Sequence, residues 1–253
     1  MMKRAAWIAF ATFACALLGF ALQAAAPTPA MADAKGMIGS VAGLVSLLLA
    51  LVLGLVIWTS HGVYTTQVTE SISLGPIVFQ LDHAFEQLGS RGADGRALLK
   101  AQVKSHRDRF WGDARRTRAQ SSFAISRSDA QAMTDFLAGI DPKDERERQL
   151  VATARQLSSS MIQTQLLMAR QLATPLPTIL TIVVVFLALL IFFAYGLSST
   201  PNAVTVAMAA LGAIAVASAF LLIFELNQPY DGVFRIPPAG IDQVLASIGP
   251  PGK

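Results

Sequence analysis

Four acidic side chains crowd one short stretch, "DPKDERERQ": Asp141, Asp144, Glu145 and Glu147. Carboxylates at that density could hold a hard divalent cation through oxygen ligands. Here Lys143, Arg146 and Arg148 are interleaved with them. The same residues describe a helix start, with Asp141 as N-cap, Pro142 at the first helical position, and Asp144 and Glu145 against the positive end of the dipole. Solvated capping is the expectation rather than a metal site. His61, His83 and His106 are too scattered for a zinc pattern, and the single Cys15 has no basic neighbour to activate it. His106 falls on the apolar side of its helix, as a packed core histidine would. No Gly-rich phosphate loop, metal-spaced histidine pair or nucleophile elbow occurs. The chain reads as a non-enzyme with no catalytic, metal or cofactor site.

One further constellation stands out, in "FLLIFELNQPYDGVFRIPPAG". Glu225 ends an apolar run, and Asn227, Gln228 and Pro229 stop the helix, because proline cannot continue it. Tyr230 is amphipathic and suits the headgroup level of a membrane. Gly232 allows a backbone conformation that other residues resist. The Glu225 carboxylate sits at the negative end of the helix dipole, a conflict that points to a specific partner such as an arginine from the polar middle of the chain. Structural anchoring and a gate or ion-contact role are both compatible with this turn.

The elements that position these residues follow from composition. Of 253 residues, 53% are apolar and only 14% charged, against about 25% charged in soluble domains. The net charge of +4 comes mostly from intermixed Lys/Arg and Asp/Glu between residues 82 and 170, which describes a solvated helical surface and not a nucleic-acid patch. Apolar runs at 5–22, 38–58, 178–197 and 203–224 contain no Asp, Glu, Lys or Arg. Each is near the length of about 20 residues that crosses a hydrocarbon core. The expected fold is an all-α membrane protein, with four transmembrane helices in two hairpins and a cytoplasmic helical bundle inserted between them. Residues 1–60 form the first hairpin, 61–177 the bundle, 178–225 the second hairpin and 226–253 a cytoplasmic tail. "MMKR", the first run and "APTPAMADA" also fit a signal peptide cleaved at Ala32–Ala34; a retained span is favoured. Lys3, Arg4, Arg170 and Arg235 would share one side and Lys35 the other. The positive-inside rule then puts both termini and the 61–177 region in the cytoplasm of a cell (inner) membrane.

Within the polar middle, the second span continues as a helical stalk to Gly75–Pro76. Val78, Leu81, Phe85 and Leu88 recur at three and four, and Leu99, Val103 and Phe110 mark a second amphipathic helix closed by Trp111. "SRGADG" is a turn between them, and "ISRSDAQAMTDFLAGI" offers Ser and Asp caps before a short apolar face. Leu150, Ala154, Leu157, Met161, Met168 and Leu172 make a seam ending at Pro175 and Pro177. The two long helices should pair antiparallel. Inside the membrane, Ala42, Ser46, Ala50 and Gly54 fall every four residues in the second span, and Ala209, Ala213 and Ala217 in the fourth. Lipid offers no hydrophobic drive between helices, so small faces are where backbones approach closely, within one bundle or between copies.

"DAKGMIGSVAGLVSLLLALVLGLVIWTSHGVYTTQ", the Leu-Asp of "IVFQLDHAFEQLG" and "FELNQPYDGVFRIP" resemble the bestrophin-like domain family, four-span bacterial membrane proteins of unassigned function. The strongest part is the turn Glu225, Asn227, Pro229, Tyr230 and Gly232. The resemblance implies a retained first span and a distant relation to bestrophins, pentameric chloride channels whose last span is followed by Asn-Pro-Phe-Gly and an acidic calcium-binding run. Here Asp231 stands without that run, and the second span lacks the phenylalanines of a bestrophin neck. Two functions follow as expectations: an oligomeric channel passing small anions through a ring of second-span helices, or a non-conducting scaffold or sensor whose cytoplasmic bundle binds a protein partner. The expected partners are the lipid bilayer, further copies of the chain and a possible cytoplasmic protein.

Overall fold

The computed structural model describes residues 2–25, 28–112, 118–173 and 178–248, with the side chains at 28–33, 118–126, 172–173 and 178 left aside. Among the described residues there are eight α-helices, one short 3-10 helix at Gly89–Gly92 and no strand. In chain order the helices are α1 Met2–Ala25, α2 Thr28–Gln87, α3 Ala93–Trp111, α4 Arg118–Ala138, α5 Glu145–Ala173, α6 Thr178–Ser198, α7 Ala203–Leu226 and α8 Ala239–Ser247. Four of them are long and apolar enough to cross a membrane: α1, α6, α7 and the part of α2 from Ala34 onward. The chain divides into two compact units, 1–62 with 176–227, and 63–175 with 228–253.

The first unit holds the apolar helices. α1 is its packing centre, lying against both α6 and α7, whereas α6 and α7 touch each other little. The connection "SSTPN" between α6 and α7 is short, and most of the packing of these two helices is made through α1. The reason lies in two glycines. A Cβ on Gly19 would meet the Phe193 carbonyl oxygen at 2.4 Å, and one on Gly196 would meet the Ala16 carbonyl oxygen at 2.2 Å. Only hydrogen at these positions allows α1 and α6 to cross backbone to backbone. Asn202 caps α7: its side chain accepts from the Thr205 amide at 2.9 Å, and the Thr205 hydroxyl accepts from the Asn202 amide at 3.0 Å.

The small-residue stripe expected on α2 is divided by the packing. Ala42 is buried and Ser46 half-buried, its hydroxyl 3.3 Å from the Tyr195 hydroxyl, while Ala50 and Gly54 are exposed. Four residues advance a helix by more than one turn of 3.6, so a four-residue spacing drifts around the axis. The face that packs is Ala42, Ser46, Leu49, Leu53, Val56 and Ser60, which alternates steps of four and three and so holds its direction. On α7, Ala213 is buried and Ala209 and Ala217 are half-buried. A cluster of Val56, Val184, Phe220 and Ile223 closes this unit.

The second unit is a bundle of the α2 extension, α3, α4 and α5 with the tail. Val78, Leu81, Phe85 and Leu88, expected as one face, are all buried, as are Leu99, Val103 and Phe110. Pro76, expected to end the stalk, lies inside α2. An interior proline costs about 3 kcal/mol. Burial of Leu74, Val78, Leu81 and Phe85 on both sides of it offsets that, since each such side chain contributes about 1.5–3 kcal/mol. The α5 seam is Val151, Ala154, Ser158, Met161, Gln165 and Met168. Leu150 and Leu157 pack at its margin, and Leu172, Pro175 and Pro177 fall outside the described side chains. "SRGADG" is the 3-10 helix running into α3, entered through Gly89 at φ +62°.

The N-cap of α5 is Asp144, not Asp141. Its Oδ1 accepts from the Glu147 amide at 2.7 Å, and Glu147 Oε2 accepts from the Lys143 amide at 2.7 Å. Pro142 therefore precedes the helix. Glu147 pairs with Arg91 and Glu145 with Arg148, and no group of three or more potential metal ligands occurs among the described residues.

Candidate functional site

The turn after α7 is where side chains of special chemistry concentrate. Its residues fall in both compact units, since the division lies between Asn227 and Gln228. In the first unit, Asn227 is the C-cap of α7. Its Nδ2 donates to the Ile223 carbonyl at 2.7 Å and to Ser60 Oγ at 2.8 Å, while Ser60 donates to the Val56 carbonyl at 2.7 Å. The amide thus ties the last turn of α7 to α2 and satisfies carbonyls that a helix end leaves open. Glu225 is buried, with 8% of its surface exposed.

In the second unit the chain turns on itself. The Asp231 amide donates to the Gln228 carbonyl at 3.0 Å, Gly232 takes φ +94°, and the Ile236 amide donates to the Pro229 carbonyl at 2.7 Å. A positive φ of that size disfavours any residue with a Cβ, which is why glycine follows Asp231. The closed loop drives Tyr230 inward. Its ring stands edge-on to Phe110 and Trp111 at 5.0 Å from each, and Trp111 Nε1 donates to the Ile236 carbonyl at 2.8 Å. The Tyr230 hydroxyl donates to Gln67 Oε1 at 2.7 Å. Gln67 Nε2 in turn donates to Gln171 Oε1 at 2.5 Å and to the Met168 carbonyl at 3.2 Å. Burial, reinforced by the charge of Glu70, pushes the Tyr230 phenol well above its ordinary range, so it stays a donor. The expected headgroup-level tyrosine is therefore a core anchor.

Behind it, His106 is fully buried and stacked on Phe110 at 4.3 Å, and neither ring nitrogen has a hydrogen-bond partner among the described residues. Burial, and then the charge of Arg109, lowers its pKa to about 3. It is a neutral packing ring. Arg109 donates through Nη2 to Asp129 at 3.2 Å, and burial pushes the Asp129 carboxyl up. Among the described residues of this region, no nucleophile, base and orienting group converge.

Sequence patterns single out Glu225, Asn227, Pro229, Tyr230 and Gly232, and the structure gives each a place in or beside the turn. Ser60 in the first unit, and Gln67 and Gln171 in the second, belong to no motif that marks them, and Trp111 reads only as the end of its helix. A signal for two of them exists: Ser60, Gln67, Leu74 and Leu81 recur every seven residues on α2 and are each at most 2% exposed. The first three lie within the expected stalk, and the register carries on through Pro76 to Leu81.

The helical fold of the described residues, with four helices long and apolar enough to cross a membrane, points to an integral membrane protein. A family model described as Bestrophin-like domain matches residues 8–241, and the chain belongs to that family. A solved structure described as the crystal structure of a membrane protein shares the fold, with a TM-score of 0.64, 12% identity and 97% of each chain covered. No curated protein matches.

Proposed function

We propose that this membrane protein is an oligomeric, non-enzymatic anion channel in which α2 helices of several copies surround a common axis. The observation that supports this is the outward face of α2. Gly36, Ser40, Gly43, Leu47, Ala50 and Gly54 alternate steps of four and three, and all are exposed. A Cβ on Gly36, Gly43 or Gly54 would meet nothing within 4 Å. Lipid tails gain nothing from glycine, whereas a neighbouring helix gains close approach. The excess of Lys and Arg on one side favours a cell-membrane location with 61–177 and both termini in the cytoplasm.

Microscopy of the purified protein in lipid nanodiscs tests the assembly, and chloride efflux from liposomes made with the same preparation tests conduction. A closed ring whose flux is lost in Gly43→Leu is the expected result. A monomeric particle would end the proposal. A second reading, a non-conducting scaffold or sensor, draws on a groove of about 490 Å3 between α4 and α5, lined by Thr134, Leu137, Arg155 and Ile162. It predicts a ring or monomer without flux, and one dominant soluble protein cross-linked through that groove.

A further inference from the structure

A second cavity lies in the bundle unit and borders the turn at Ile236. It measures about 400 Å3 and lies between the α2 extension and the tail. Val68, Ile72 and Gly75 form one wall, and Ile236, Ile241 and Val244 the other. Ligand sites for small molecules are typically about 300–1,000 Å3, mostly apolar, with a few polar groups that fix orientation. Two hydroxyls, Tyr64 and Ser71, also line this one, and neither has a hydrogen-bond partner among the described residues. The next residue before Ile236 is Arg235, exposed and without an ion-pair partner among the described residues. Ile72, Val233 and Phe234 remain 69%, 84% and 50% exposed, which a bundle surface in water disfavours.

An apolar groove with two hydroxyls in its lining, and a guanidinium one residue along the chain from that lining, suit one kind of molecule. We propose that this groove binds a single-chain carboxylate amphiphile, a free fatty acid, with its tail among the apolar side chains and its carboxylate at Arg235. Access from a bilayer follows from chain length alone. Trp58, the last residue of the second apolar run, precedes Tyr64 by six residues, which even fully extended span at most about 20 Å. The apolar lining alone would accept an uncharged chain; the exposed arginine selects a carboxylate.

Gly240 also lines the groove, near the start of α8, and a Cβ there would meet nothing within 4 Å. Gly240→Leu therefore fills the space while improving helix propensity. The experiment uses the full chain in phosphatidylcholine nanodiscs with a diazirine-bearing palmitate, and maps the labelled peptides. The expected result is saturable labelling within 64–75 or 236–244 that unlabelled palmitate competes. Gly240→Leu should lower that labelling about tenfold by occupying the groove. Arg235→Gln, at an exposed position that does not threaten folding, should lower it about two- to fivefold. Labelling confined to the apolar spans, labelling unchanged in both variants, or equal labelling by the matching fatty alcohol would each overturn the proposal. Competition by added phosphatidylglycerol as strong as by palmitate would assign the groove to bulk phospholipid and overturn it as well.

Discussion

Gly19→Ala probes the crossing on which the apolar unit depends. The added methyl would lie 2.4 Å from the Phe193 carbonyl oxygen, 2.8 Å from the Leu197 nitrogen and 2.9 Å from the Gly196 carbonyl carbon. All three obstacles are backbone atoms, so no rotamer change can relieve the overlap, and α1 and α6 must move apart. Overpacking of this kind costs about 1–3 kcal/mol. The helix-propensity gain of alanine over glycine returns about 1 kcal/mol at most. A net loss of about 1 kcal/mol, at about 2–4 °C per kcal/mol for a chain of this size, lowers the unfolding midpoint by about 2–4 °C. Differential scanning fluorimetry in detergent measures it, with Gly43→Ala as the comparison because its Cβ meets nothing within 4 Å. Equal midpoints for wild type, Gly19→Ala and Gly43→Ala would refute the reasoning. They would also show that α1 is not packed against α6 in the mature protein, as after cleavage of the first span.

Other substitutions test the turn and the bundle. Tyr230→Phe removes the donor to Gln67 at 2.7 Å and leaves that amide oxygen short of a partner; a loss of about 1–2 kcal/mol is expected in chemical denaturation. Asp82→Asn breaks the two-point contact with Arg96 at 2.8 and 2.9 Å, where the side chains are only 11–12% exposed, and should cost about 2–4 kcal/mol in the same measurement. His106 gives a pH signature. Its folded pKa of about 3 lies below the ordinary 6.5, so the unfolded chain binds the extra proton between those values. Its contribution is present above pH 6.5 and declines on acidification, by up to about 1.4 kcal/mol per pH unit. His106→Leu should flatten that slope in midpoints measured from pH 7 to 4; an unchanged slope would contradict a neutral buried imidazole. Gly43→Leu should leave the protomer's midpoint within about 1 kcal/mol of wild type while shifting the particle to smaller oligomers in light scattering.

Local chemistry alone was enough to reveal the membrane helices. Runs of the required length without a single charge are legible because hydrocarbon penalises every ionised group regardless of what packs beside it. The same is true of the faces Val78–Leu81–Phe85–Leu88 and Leu99–Val103–Phe110, where spacing on a helix fixes which side chains share a direction. Contacts between distant residues were not legible. Pro76 reads as a breaker, yet core burial on both sides carries α2 through it. Asp141 and Asp144 are both sound caps, and the bond to the Glu147 amide decides for Asp144. The small residues of α2 and α7 invited close packing, but α1 meets α6 at Gly19 and Gly196. Tyr230 reads as an interfacial ring until its hydroxyl is placed on Gln67, 163 residues earlier. A sequence constrains helices because their energetics are set within a few turns. It leaves open which helices meet, because that depends on backbone clearances and buried hydrogen bonds that exist only when remote segments come together.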